Sequence, residues 1–238
     1  MALILNLETA TPVCSVALSL DGKTIGLKES SNDQSHATRL TSFIQDLLTE
    51  HALQADQLDA ISLSMGPGSY TGLRIGASVA KGFAYASGKP LVGIATLQAL
   101  AKGCTTQYAD QISTLTASTP YLLCPMIDAR RMEVYTALYD GKGREIRSVE
   151  AIVIDSQSFN DLLAEQSIFF FGNGSTKAAT VIHHPNAHFF SGLELSASFQ
   201  SVLAEEQYYR KEFLDTAYFE PRYLKEFIAS IPKNKVLG

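Results

Sequence analysis

The chain has 238 residues, 46% of them hydrophobic and 18% charged, which suits one large domain or two small lobes and excludes disorder, collagen and coiled coil. Lys and Arg number 19 against 24 Asp and Glu, so the net charge is −5, and without a dense basic cluster a stand-alone nucleic-acid binder is not expected. The basic residues that do gather lie in the tail, at Lys225, Lys233 and Lys235, where a solvated surface is the ordinary reading.

Cys14, Cys104 and Cys124 form no CxxC and cannot all pair, a pattern that fits buried thiols in a reducing, cytoplasmic setting. Glu8 interrupts the short apolar run at the N-terminus and no positive segment precedes it, so no signal peptide is expected. No apolar run reaches the length of a bilayer, and no membrane association is expected.

Leu3-Ile4-Leu5-Asn6-Leu7 predicts a central strand covered on both faces. Ser15 to Leu20 alternates polar and apolar, turns at Asp21-Gly22 and returns from Thr24 to Glu29, the pattern of a hairpin. Leu40, Phe43, Ile44, Leu47 and Leu48 form one helical stripe, with Asp33 or Ser35 placed to cap its start. Ile61 to Met65 predicts another strand. The helix from Leu73 to Ser87 follows a glycine-rich turn. Polar Thr105 to Pro120 marks a candidate boundary between a lobe of residues 1–104 and one of residues 105–238.

The opening then recurs. Met126 to Ala129 resembles Leu5 to Thr9, Glu133 to Tyr139 alternates as Cys14 to Leu20 does, and Asp140-Gly141-Lys142 repeats Asp21-Gly22-Lys23. Acid-to-turn spacing is 21 − 8 = 13 in one copy and 140 − 128 = 12 in the other. A strand running into glycine also appears twice, at Met65-Gly66 and at Phe171-Gly172. Repetition at half the chain length predicts two similar α/β lobes with mixed sheets, each opening on a hairpin. A last helix is expected around Leu195, Phe199, Val202 and Leu203, started by Ser196.

Gly66-Pro67-Gly68-Ser69-Tyr70-Thr71-Gly72 stands between a strand and a helix, where free N–H groups and the helix dipole favour an anion. It matches neither a Walker loop nor GxGxxG, whose third glycine would fall on Thr71, and a tight turn needing close packing is the ordinary reading. Glu8, Thr9, Asp128 and Arg130 sit in the equivalent hairpins, where a nucleotide-binding fold would place phosphate contacts. The first hairpin lacks glycine, and the second carries Arg130 and Arg131, which could grip phosphate or pair with Glu133 and Glu145.

His184 and His188 have i, i+4 spacing, but Pro185 and Asn186 break the helix that metal binding would need. His183 adds nothing to them, and His36 has no second ligand at helical spacing.

Gly72, Gly76, Ala80 and Ala84 form a small-residue stripe on a helix with little charge, suited either to a lobe core or to a partner chain. The second choice predicts an interface of Leu40, Phe43, Ile44, Leu47, Gly72, Leu73, Gly76, Val79, Ala80 and Phe83.

The opening LILNLETATPVCSVAL, the loop GPGSYTGLRIG, the segment IDARRMEVY and Pro221-Arg222-Tyr223-Leu224 together resemble the TsaB (YeaZ) family. The resemblance runs from Leu3 to about Lys225. It implies a duplicated actin-like ATPase (ribonuclease H-like) fold and a part in making threonylcarbamoyl-adenosine in tRNA. It implies a non-catalytic subunit that pairs with a metal-binding, catalytic TsaD-like paralogue and a TsaE-like ATPase, reaches tRNA through that complex and forms a homodimer when alone. The paralogue's His-x-x-x-His pair is missing, since Leu40 stands four residues after His36. No cofactor is expected for this subunit beyond weak or interface-dependent adenine nucleotide binding. A nucleotide-binding ATPase or phosphotransferase of the same fold is the alternative.

Overall fold

A computed structural model describes residues 1–31, 36–116 and 119–225. The capping residues Asp33 and Ser35, the His36 side chain, Lys233 and Lys235 lie outside the described residues. β1 (Leu3–Glu8), β2 (Cys14–Leu20) and β3 (Lys23–Ser30) form an antiparallel meander, and Asp21 and Gly22 make its second turn with positive φ of 49° and 69°. α1 (His36–Glu50) then leads to β4 (Ala60–Gly66), parallel to β1, and α2 (Tyr70–Ser87) leads to β5 (Leu91–Ala95), parallel to β4. Parallel neighbours need such helical crossovers because their ends lie a strand length apart.

After α3 (Thr96–Gln107) and α4 (Ala109–Thr116) the plan repeats. β6 (Tyr121–Asp128), β7 (Glu133–Asp140) and β8 (Glu145–Val153) form the second meander. Short α5 (Asn160–Leu163) precedes β9 (Ser167–Phe171), and short α6 (Ser175–Ala178) precedes β10 (Ala187–Phe190). A 3-10 turn at Ala197–Gln200, α7 (Ser201–Arg210) and β11 (Phe213–Leu214) return the chain to the first sheet. The sheet orders are β11-β5-β4-β1-β2-β3 and β10-β9-β6-β7-β8. With β11 set aside, both put the first meander strand beside the first crossover strand. This is the ribonuclease H-like sheet present twice, the duplicated arrangement of actin-like ATPases.

One apolar cluster lies under α1 and α2, and Leu40, Ile44 and Leu47 contribute to it at 0–4% exposure. Side chains buried to that degree stabilise by roughly 1.5–3 kcal/mol each. A second cluster lies within the C-terminal half around Phe170, and a third joins the sheets through Leu97, Leu100, Phe169, Phe171 and Phe199.

Three features of the structure go beyond what local spacing carries. The polar positions of β2 are not solvent-facing: Ser15 and Ser19 are buried, because the 3-10 turn and α7 cover that face from the far end of the chain. Thr105–Pro120 is mostly helical, since Cys104, Tyr108, Ile112 and Thr116 are spaced by four and bury Cys104, Ile112 and Thr116 beneath a polar surface.

The small-residue stripe of α2 faces inward. A Cβ at Gly72 would lie 2.0 Å from the Thr9 carbonyl oxygen and one at Gly76 2.3 Å from the Thr9 hydroxyl, so only glycine lets the helix approach β1 so closely. Ala80 and Ala84 are buried in the apolar cluster under α1 and α2.

Candidate functional site

The first hairpin folds its acid inward. Glu8 is fully buried, with Oε1 accepting from Ala10 N at 2.7 Å and Oε2 accepting from the Ser64 hydroxyl and from Gln200 Nε2. Burial pushes its carboxyl above the ordinary value, and the bonds from Ser64, Ala10 and Gln200 oppose that only in part. Gln200 also donates to Leu7 O at 2.9 Å and lies within hydrogen-bond reach of the Ser62 hydroxyl. Two local contacts hold it there: Ser196 caps the 3-10 turn, and Ala197 N donates to Ser15 Oγ at 2.7 Å. A buried amide with every neighbour satisfied specifies one geometry.

The glycine loop is packed against the same hairpin. Ser69 N donates to Ala10 O at 2.7 Å, Gly72 N to Ser69 Oγ at 3.2 Å and Gly66 N to Thr96 Oγ1 at 3.1 Å. A Cβ at Gly68 would lie 2.5 Å from the Ala10 carbonyl oxygen. Gly68, Ser69 and Gly72 thus serve the close approach of α2 to the hairpin, Gly66 lies against the Arg222 carbonyl oxygen, and Thr71 faces outward. Three N–H groups that an anion would need already have acceptors within the chain.

The second hairpin takes another course. Lys177, from α6, bonds Asp128 and also donates to Arg131 O at 2.8 Å and Glu133 O at 2.6 Å. Arg130 and Arg131 both adopt positive φ, 72° and 49°, a conformation that costs an L residue roughly 1–2 kcal/mol. The loop thereby turns carbonyl oxygens toward an ammonium, the reverse of a phosphate cradle. Neither expected arginine pairing forms: Glu133 is bonded by Lys225, and neither guanidinium has an ion-pair partner among the described residues.

Between the halves lies a 480 Å³ cavity lined by Glu29, Ser31, Gln107, Glu194 and Phe199 among others. A 240 Å³ cavity beside it is lined by Thr11, Leu100, Ile127, Asn173 and Glu194, and the Thr11 hydroxyl has no hydrogen-bond partner among the described residues. The charged side chains lining both are carboxylates, which repel a phosphate.

His184, His188 and the three cysteines take structural places. His184 Nδ1 accepts from Asn186 N, His188 stacks on Phe169, and His183 is exposed. No group of three metal-binding side chains occurs among the described residues. Burial pushes Cys14 up to about 11 and Cys104 and Cys124 up to about 12, so all three remain thiols at neutral pH.

The residues of the expected partner face divide by burial. Leu40, Ile44, Leu47, Gly72, Leu73, Gly76 and Ala80 are buried within this chain. Phe43, Val79 and Phe83 are half-buried and sit beside Leu48 and Ile75, also partly open. Sequence reasoning missed Gln200 and Lys177, each of which acts on a hairpin far away in the chain. The available signal was weak: a lone Gln beside Phe199 at the start of a helix, and a Lys just after the second glycine loop.

Residues 25–213 match the family model described as TsaD, tRNA N6-adenosine threonylcarbamoyltransferase. The chain is 29% identical over 236 residues to the tRNA threonylcarbamoyladenosine biosynthesis protein TsaB of Haemophilus influenzae, covering 93% of each. It is 36% identical over 136 residues to the protein of that name in Escherichia coli, spanning 57% of this chain and 54% of that protein. YeaZ from Pseudomonas aeruginosa superposes with a TM-score of 0.78 at 27% identity, over 94% of this chain and 100% of that one. No helix among the described residues is long and apolar enough to cross a membrane.

Proposed function

The chain belongs to the TsaB (YeaZ) branch of the tRNA N6-adenosine threonylcarbamoyltransferase family, and from that premise we propose that it is a non-catalytic scaffold subunit. Its work is to pair, in the cytoplasm, with a TsaD-like paralogue that carries out the transfer to tRNA adenosine, in an assembly that includes a TsaE-like ATPase. The observation that carries this reading is the filled pair of hairpins. Gln200 seals Glu8 in one copy, and Lys177 takes up the carbonyl groups of the other. With carboxylates lining the cleft, an adenine nucleotide needs basic groups from a partner.

The surface that fits a paralogue of the same fold is the outer side of α1 and α2, with Phe43, Val79 and Phe83 half open. Two copies of one such surface pack isologously in a homodimer and pseudo-symmetrically with a paralogue, so the two pairings compete. Val79→Glu with Phe83→Glu tests it. Sizing and circular dichroism should report a folded monomer that fails to join the TsaD-like chain. A double variant that still pairs would remove this face from the interface. Metal-dependent ATP hydrolysis by the parent alone, lost in Glu8→Gln, would remove the scaffold reading.

A further inference from the structure

We infer that the turn of the second hairpin and the C-terminal strap beside it form an RNA-contacting surface, with Arg130 and Arg131 as phosphate ligands. The inference rests on the tRNA-modifying reading above and adds to it a contact made by this chain itself. The strap is tied to both halves: Lys81 Nζ donates to Phe219 O, Arg222 N donates to Met65 O, and Lys225 bonds Glu133 in the second hairpin. It therefore brings Arg222 and Tyr223 to the same edge as Arg130 and Arg131.

The charges at this edge do not cancel. Lys177 answers Asp128 and Lys225 answers Glu133. Arg74, Arg130, Arg131 and Arg222 remain exposed, opposed by Glu220, whose charge reaches Arg74. Among the described residues, every cation left over at this edge is an arginine, the side chain that binds phosphate through two parallel bonds. Tyr70 and Tyr223 lie beside them with ring centroids 4.7 Å apart, and the Arg74 guanidinium stands 4.2 Å over the Tyr70 ring. Cations interleaved with aromatic faces suit the backbone and unstacked bases of an RNA loop.

The backbone supplies an independent reason. Arg130 and Arg131 occupy consecutive left-handed positions, which favour Asn and Gly over bulky side chains. Retaining two arginines against that preference, without an ion-pair partner for either among the described residues, points to a role outside the fold. The acidic cavities elsewhere offer no comparable surface for a polyanion.

The test is the double variant Arg130→Asn, Arg131→Gly, which removes both charges and relaxes the turn. It should melt at or above the parent's temperature and still join the TsaD-like paralogue on sizing. Binding of an unmodified tRNA transcript is then measured across a salt series, for the complex with parent or variant. Loss of two phosphate contacts should lower the slope of log K against log salt by about 1.4–1.8 and weaken binding about tenfold or more at low salt. An unchanged slope and affinity would overturn the inference while leaving the scaffold reading standing. Loss of pairing with intact RNA affinity would overturn it in favour of an acidic protein partner. A parent chain that never pairs would instead defeat the scaffold reading.

Discussion

The two hairpins have the same topology and opposite fates. In the first, Glu8 is fully buried, α2 lies against Thr9 and Ala10, and Gln200 closes the site from a point 192 residues away. In the second, Asp128 is half exposed, α6 spans only Ser175–Ala178, and Arg130 and Arg131 stand in solvent. Duplication copied the strand order but not the helices over it. The long α2 turns the first copy into a packing seam, whereas the short α6 leaves the second as an edge that can meet other molecules. Fold and surface chemistry have therefore separated within one chain.

The largest expected effect tests the seam. Gly72→Ala places a Cβ 2.0 Å from a backbone oxygen, which cannot move without shifting the whole hairpin. Thermal melts should show a loss of about 3 kcal/mol or more, at the upper end for overpacking. Gly143, with open space around it, is the opposite case: Gly143→Ala meets no clash and bears only the strain of its positive φ. Similar losses at the two positions would show that α2 does not depend on that close approach.

Gln200→Ala comes next. It leaves Leu7 O and the Ser62 and Ser64 hydroxyls short of a partner in a buried setting, at about 1–3 kcal/mol for an unsatisfied group. Denaturant unfolding should place the loss near 2–4 kcal/mol. Lys177→Met, the matching change in the second copy, should cost about 1 kcal/mol, because Asp128 and its neighbours are open to water. Equal costs would mean that the second hairpin is as much a structural seam as the first.

How much of this was readable in the chain follows from distance. The meanders, the Asp-Gly turn and the duplication rest on neighbours within about twenty residues, and local spacing carries that information. The spacing of Gly72 and Gly76 announced a close approach, yet nothing nearby named Thr9 as the surface approached. Ser15 and Ser19 alternate as in a half-exposed strand, and only Ala197 to Ser201 explain their burial. The same limit applies to the partner face. A stripe such as Gly72, Gly76, Ala80 and Ala84 records that something packs there, not whether it belongs to the same chain. The arginines of the second hairpin were noticed, but their left-handed backbone and their lack of ion pairs are properties of the folded turn.

The smallest effect is the most specific. Burial raises the Glu8 carboxyl above its ordinary 4.5, against hydrogen bonds from Ser64, Ala10 and Gln200 that favour the charged form. The folded chain therefore holds this proton at pH values where the unfolded chain has released it. Its contribution to stability is complete below about pH 4.5 and falls as pH rises through the folded value. Glu8→Gln cannot titrate. Its amide changes one contact, because a nitrogen replaces an acceptor oxygen facing Ser64 and Gln200, but that cost is the same at every pH. The melting temperature of Glu8→Gln relative to the parent should therefore climb from pH 4 toward neutrality and level off once the folded carboxyl is ionised. A difference that stays flat across that range would mean that Glu8 ionises in the folded chain as easily as in the unfolded one. The seam around it would then be more open to water than its burial beneath Gln200 implies.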